Sequence, residues 1–264
     1  MRINRVKEKL RRGQPTIGSW LTLGNLHAAR VMARCGFDWL ALDCEHAPYD
    51  WRDIASIVGA IADANCVPLV RVPDSSHSSI KRALDAGAFG VIVPMVETVE
   101  QAKAVIAAAK YPPEGNRGIG IGLQSLNFDC PMEEYYREAN NQILLVLQTE
   151  NPLGIQNAAA IYALPGFDAV LIGPNDLRFH SRSTDGTFPT DAESEAQIQQ
   201  IVEIGRIAGR PMGIHVATAS KAIQRIEQGL QFLAVAGDLS LLSTAARAIV
   251  TELGLAQSDD TTRY

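Results

Sequence analysis

Cysteine is scarce. Cys35, Cys44, Cys66 and Cys130 are the whole complement of 264 residues and show no CxxC spacing, so neither a zinc knuckle nor a redox pair is indicated. Buried reduced thiols, acting as small hydrophobes, are expected. Long apolar runs are missing as well: no segment approaches the roughly 20 apolar residues that span a bilayer. The opening MRINRVKEKLRRG has no apolar core of the kind that marks a signal peptide. The expectation is a cytoplasmic protein without a membrane partner. Clustered positive charge is also lacking, because 24 Lys and Arg face 29 Asp and Glu for a net charge of -5. That balance leaves no electrostatic footprint for nucleic acid. The basic start, Arg2 to Arg12, reads as a solvated N-terminal helix. There is no GxxxxGK[ST] loop, and the GIGIG run at 118–122 sits in a loop after Arg117, so nucleotide binding is not expected.

What is present is a globular composition, 47% hydrophobic and 20% charged. Eight short apolar runs, at 16–23, 37–44, 67–72, 90–95, 143–149, 167–173, 211–216 and 231–236, alternate with helical patterns. Their near-continuous apolar character fits strands buried on both faces of a parallel sheet. WRDIASIVGAIADA, HSSIKRALDAG, VEQAKAVIAAAK and SEAQIQQIVEIGRIAG read as helices between them, several ending at Gly. The repeating unit is βα, which predicts an α/β fold of the (β/α)8 TIM-barrel kind, with a doubly wound open sheet as the alternative. With no Pro/Ser/Gly-rich linker, residues 1–264 are expected to form one domain with a flexible tail at about 257–264. Two excursions, 111–141 and 178–191, break the rhythm and read as long connections.

In such barrels catalytic groups stand at the C-terminal ends of strands. The residues at those positions are Asp43, Glu45 and His46, then Arg71, Glu97, Gln148 and Glu150, and finally Asp176, His215 and Asp238. A hard divalent cation is held by one or two carboxylates together with water and substrate oxygens. Glu150 and Asp176 close adjacent strands, so their carboxylates are placed to converge on one ion. Each also has a structural alternative: Asp176 as a helix cap, Glu150 as an acidic residue favoured by a helix dipole. His46 suits a general base near neutral pH, with a backbone-satisfied loop histidine or a metal ligand as alternatives. Arg71 is either a structural ion pair or an oxyanion binder. No lysine stands at a strand end, since Lys81, Lys103, Lys110 and Lys221 fall on helical segments read as solvent-facing. A Schiff-base mechanism is thereby disfavoured, and metal is expected to stabilise any enolate.

The segments FDWLALDCEHAPYD, VPLVRV, VIVPMVET, YPPEGNRGIG, LVLQTE and VLIGPNDL, in this order and spacing, resemble the HpcH/HpaI family of class II pyruvate-dependent aldolases, from Gly18 to about Leu253. The resemblance implies a (β/α)8 barrel in a homo-hexamer, a dimer of trimers whose last helix packs on a neighbouring subunit. It implies cleavage of a 4-hydroxy-2-oxo acid to pyruvate and an aldehyde, with Mg2+, Mn2+ or Co2+ as cofactor. Matched residue by residue, Glu150 and Asp176 bind the metal and His46 is the acid/base group. By the same match Asp85 would raise the basicity of that histidine, with Asp43 a second candidate for orienting it. Arg71 would stabilise the oxyanion, while Gln148, Gly173, Asn175 and Asp176 would contact the small 2-oxo acid. The chain departs from the family's usual IGPADLS in reading IGPNDLRFH, which places Asn175, Arg178 and His180 near the aldehyde side or a subunit boundary. Arg178 and Arg182 suggest an anionic tail or simple surface solvation. Two other readings compete. A citrate-lyase-like or malyl-CoA-lyase-like enzyme would need a site for a CoA tail, and no suitable basic cluster is evident. A catalytically silent barrel would have no chemical need for His46, Arg71, Glu150 and Asp176 together.

Overall fold

The computed structural model describes residues 1–120 and 122–255; the tail at about 257–264 lies outside the described residues. Its strands are β1 (Thr16–Leu21), β2 (Trp39–Asp43), β3 (Val67–Arg71), β4 (Gly90–Val93), β5 (Leu144–Thr149), β6 (Ala169–Ile172), β7 (Met212–Val216) and β8 (Phe232–Gly237). Seven fall inside one of the eight apolar runs, and β8 extends one residue past the last. They pair in sequence order, all parallel, and β8 returns to β1 to close the barrel.

The helices are α1 (Arg5–Arg11), α2 (Leu26–Met32), α3 (Trp51–Asp63), α4 (His77–Asp85), α5 (Val99–Ala109) and α6 (Leu123–Asn127), followed by α7 (Met132–Gln142), α8 (Pro152–Tyr162), α9 (Pro174–His180), α10 (Asp191–Ile207), α11 (Ala219–Glu227) and α12 (Asp238–Glu252). Local chemistry sets several of their starts. Asp50 with Asp53, Thr98 with Gln101 and Thr190 with Glu193 form reciprocal capping boxes that open α3, α5 and α10. The Thr190 box starts α10 three residues before the periodic run that the sequence suggested. The excursion at 111–141 is not a plain loop, since it carries α6 and α7.

Strand register sorts the side chains. Gly18 pairs with Trp39, Asp43 with Arg71, Gln148 with Leu171 and His215 with Ala234. With a period of two, these positions share the inward face of the barrel. A Cβ on Gly18 would lie 1.9 Å from the Trp39 ring, so this glycine opens the space in which Trp39 stacks on Phe232, with centroids 4.3 Å apart. Large rings thus fill the lower barrel, and polar residues occupy the inward positions nearer the strand C-termini.

Two expectations about basic residues are corrected here. α1 is not solvated: Val6, Lys7 and Leu10 are buried, and the Lys7 ammonium donates to the Ile143 carbonyl at 2.6 Å and pairs with Asp168 at 3.0 Å. The helix packs on the N-terminal ends of the strands, so its apolar face outweighs its basic one. Lys110 is not solvent-facing either, because its ammonium donates to the Asn140 carbonyl at 2.5 Å in the connection leading to β5. Both amines lie at the barrel end opposite the strand C-termini. Among the described residues no helix is long and apolar enough to cross a membrane.

Candidate active site at the strand C-termini

The turn after β2 is built by Asp43. Its carboxylate accepts two hydrogen bonds from Arg71 of β3, from Nε at 2.9 Å and from Nη2 at 2.7 Å. The same Oδ1 accepts the backbone N–H of Glu45 at 3.3 Å and of His46 at 3.2 Å. Asp43 therefore fixes the turn that carries His46 through the backbone rather than through the imidazole. The neighbour of the imidazole is Glu45, whose Oε2 lies 3.7 Å from Nε2 of His46 and 3.3 Å from Nη1 of Arg71. Burial pushes the Glu45 carboxyl up to about 7, opposed by Arg71. The His46 side chain is 56% exposed, so it reaches the open mouth of the site.

Glu150, just past β5, is almost completely buried. The backbone N–H of Met95 donates to its Oε1 at 2.9 Å, and the Gln148 amide donates to its Oε2. Met95 adopts a positive φ of 52° at that point, a sparsely populated backbone conformation for a non-glycine residue. Gly173, between β6 and α9, completes the clamp, because a Cβ there would stand 2.3 Å from Glu150 Oε2. Burial raises the Glu150 carboxyl to about 7, and the nearby charges of Glu45 and Asp176 add to the rise. Asp176 lies in the first turn of α9, half-buried, and Gly173 as N-cap offers no side-chain hydrogen bond to that turn.

A cavity of about 870 Å³ opens on this rim and is lined by Asp43, His46, Arg71, Gln148, Gly173, Asn175 and Asp176. Seven of the nine residues named from the sequence thus meet in one space, with Glu150 set behind Gln148 and Gly173. No lysine lines it. Asp85 is the exception. It ends α4, and its carboxylate accepts from the buried guanidinium of Arg117 at 2.8 Å. Helices run back against the strands, so the end of α4 lies toward the N-terminal face, and within one chain Asp85 does not orient His46. Arg178 and Arg182 also stay outside the cavity: Arg178 pairs with Asp191, and Arg182 stacks on Phe179 at 3.6 Å. Asp238 is structural, with its Oδ1 accepting the Thr22 backbone N–H at 2.8 Å and the Thr22 hydroxyl at 2.9 Å.

Three residues were given no role by the sequence reading. Glu45 was visible at its strand end, yet only the Arg71 contact shows what it faces. Trp20 read as one more apolar strand residue. His215 stood in a strand with no partner apparent. The last two belong to the cavity wall because register turns them inward.

The buried donor set suits a divalent cation. Two carboxylates, one of them clamped from both sides and raised to about 7 by burial, are the hard oxygen ligands that such ions take. Among the described residues no group of three or more His, Cys, Asp or Glu side chains forms a metal cluster, so water and substrate oxygens would complete any coordination here.

The family described as HpcH/HpaI aldolase/citrate lyase matches residues 16–245. A hydroxypyruvate/pyruvate aldolase of Pseudomonas aeruginosa is 38% identical over 94% of this chain and 91% of its own. A 4-hydroxy-2-oxo-heptane-1,7-dioate aldolase of Salmonella newport (strain SL254) is 35% identical over 96% of this chain and 95% of its own. The crystal structure of an HpcH/HpaI aldolase/citrate lyase family protein from Burkholderia cenocepacia J2315 superimposes with a TM-score of 0.87 at 34% identity, covering 95% of this chain and 99% of that one. With a closed parallel barrel and this match along nearly its whole length, the chain belongs to the HpcH/HpaI aldolase/citrate lyase family and is an aldolase-type carbon–carbon lyase.

Proposed function

We propose that the enzyme cleaves a 4-hydroxy-2-oxo acid to pyruvate and an aldehyde, with a divalent cation held by Glu150 and Asp176. The observation that carries this reading is the clamped, buried Glu150 carboxylate, within electrostatic reach of Asp176 and set just behind the rim on which Asp176, Arg71 and His46 stand. When bound, Mg2+, Mn2+ or Co2+ would supply Lewis acidity to the 2-oxo acid. His46, at the open mouth, would take the C4 hydroxyl proton as the C4 oxygen becomes the aldehyde carbonyl. The C3–C4 electron pair then remains on the pyruvate fragment as an enolate. Arg71 has given only two of its five N–H groups to Asp43, and the others would hydrogen-bond the developing C2 oxyanion. The first turn of α9, uncapped by a side chain, presents the backbone N–H groups of Asn175 and Asp176 to the substrate carboxylate. Protonation at C3 releases pyruvate.

The oligomer implied by the resemblance, a hexamer, belongs to this proposal. α12 exposes Leu242 at 62% and Ile249 at 61%, and its C-cap Leu253 is 65% exposed, an apolar surface that a neighbouring subunit would cover. Sedimentation should give six copies, and a monomer would remove this part of the proposal.

The test of the reaction is coupled pyruvate release across 4-hydroxy-2-oxo acids with different tails. Activity should need added metal and vanish with EDTA. Metal-independent turnover, or full activity in Glu150→Ala, would overturn the proposal.

A further inference from the structure

Arg71 is held along one edge. Its Nε and Nη2 both bond the single carboxylate of Asp43, a fork that fixes one edge of the guanidinium and leaves the hinge between the two planes to be set by what packs on its faces. Glu45 is 3.3 Å from Nη1, yet its Oε2 has no hydrogen-bond partner, so that contact does not lock the tilt. What lies against the flat face is Trp20, with Arg71 Cζ 4.6 Å from the ring centroid. Both residues are at least nine-tenths buried.

Trp20 is itself fixed. Its indole Nε1 donates to His215 Nδ1 at 3.1 Å, across from β1 to β7, and the ring meets Trp39 edge-on with centroids 6.4 Å apart and planes at 84°. For Nδ1 to accept, His215 must be uncharged with its proton on Nε2, and burial lowers its pKa in the same sense. Any buried tryptophan seeks a partner for its N–H, so that bond alone would be ordinary packing. The arrangement is more specific because Trp20, Asp43, Arg71 and His215, from four strands, all line the same cavity.

We propose that Trp20, anchored by His215, is a positioning residue for Arg71: its ring sets the tilt at which the free N–H groups of the guanidinium meet the C2 oxyanion. The inference rests on the reading of Arg71 as the oxyanion binder. A residue acting this way affects the transition state more than the ground state. Trp20→Leu should lower kcat on the order of 10-fold, the scale of a desolvated cation–π contact, and change KM by less than about 3-fold. Trp20→Phe keeps a ring under the guanidinium and should recover most of kcat. His215→Leu should lower kcat in the wild type but add nothing in the Trp20→Phe background, where there is no N–H to anchor. In an Arg71→Lys background, Trp20→Leu should cost less than about 2-fold, because the interaction it supports is gone.

The crystal structure of Trp20→Leu gives a readout independent of activity. The guanidinium should turn about its Asp43 edge or split into several orientations. An unmoved Arg71, or a kcat loss of equal size in the Arg71→Lys background, overturns the positioning role. A tilted Arg71 in a variant that keeps wild-type kcat supports the positioning and sinks the oxyanion reading instead. Full activity in Arg71→Lys does the same.

Discussion

The two ends of the barrel treat buried charge in opposite ways. At the N-terminal end cations are matched: buried Lys7 pairs with Asp168 at 3.0 Å and a carbonyl at 2.6 Å, and half-buried Arg210 donates to the carbonyls of Tyr162, Leu164 and Phe167. At the C-terminal end Asp43, Glu45, Glu150 and Asp176 crowd around one arginine. Burial raises both glutamates to about 7, and Arg71 offsets that rise at Glu45 only in part. The first arrangement stabilises a fold. The second is costly in the isolated chain and would become favourable with the proposed cation and substrate in place.

That contrast can be broken by mutation. Glu150→Gln keeps the shape of the side chain but removes a proposed metal ligand, and should lower kcat/KM on the order of 10³-fold while the protein stays folded. A melting temperature well below wild type in the metal-free state would show that the carboxylate is structural. Asp168→Ala is the mirror case. It strands the buried Lys7 ammonium and should cost about 2–3 kcal/mol in denaturant unfolding, with kcat of the folded protein unchanged; lost turnover would couple the two ends. Gly173→Ala puts a methyl group into Glu150 Oε2 and should weaken metal affinity about 10- to 100-fold, measured by titration calorimetry.

The smallest effect is on pH dependence. Glu45 and Glu150 have an ordinary value of 4.5 and are raised to about 7 in the folded chain. A raised folded pKa means that their contribution to stability is fully present below about 4.5 and is lost as pH rises through about 7. Metal-free protein should therefore melt at lower temperature at about pH 8 than at about pH 5.5. Glu150→Gln should flatten that fall, and an unchanged slope in the variant would exclude Glu150 as its source.

Much of this was legible before any coordinates. Apolar runs of strand length alternating with helix patterns can bury themselves in few ways, so the eight strands and their parallel order followed from hydrophobic periodicity. Reading the polar residue at the end of each run found Asp43, His46, Arg71, Glu150 and Asp176, because a barrel gathers strand ends on one rim. Basic side chains were the weaker part: α1 and Lys110 looked solvated, since a long amine can bury its stem and find a carbonyl that no local pattern reveals.

The sequence by itself therefore determined the barrel and the carboxylates of its rim, because burial period and strand ends are local properties of a chain. The tertiary structure alone decided who touches whom. It turned Asp85 toward Arg117, set Gly173 against Glu150, and laid Trp20 under Arg71 with His215 behind it. Those contacts join residues tens to about two hundred positions apart, and strand register and barrel closure, not any nearby neighbour, bring them within bonding distance.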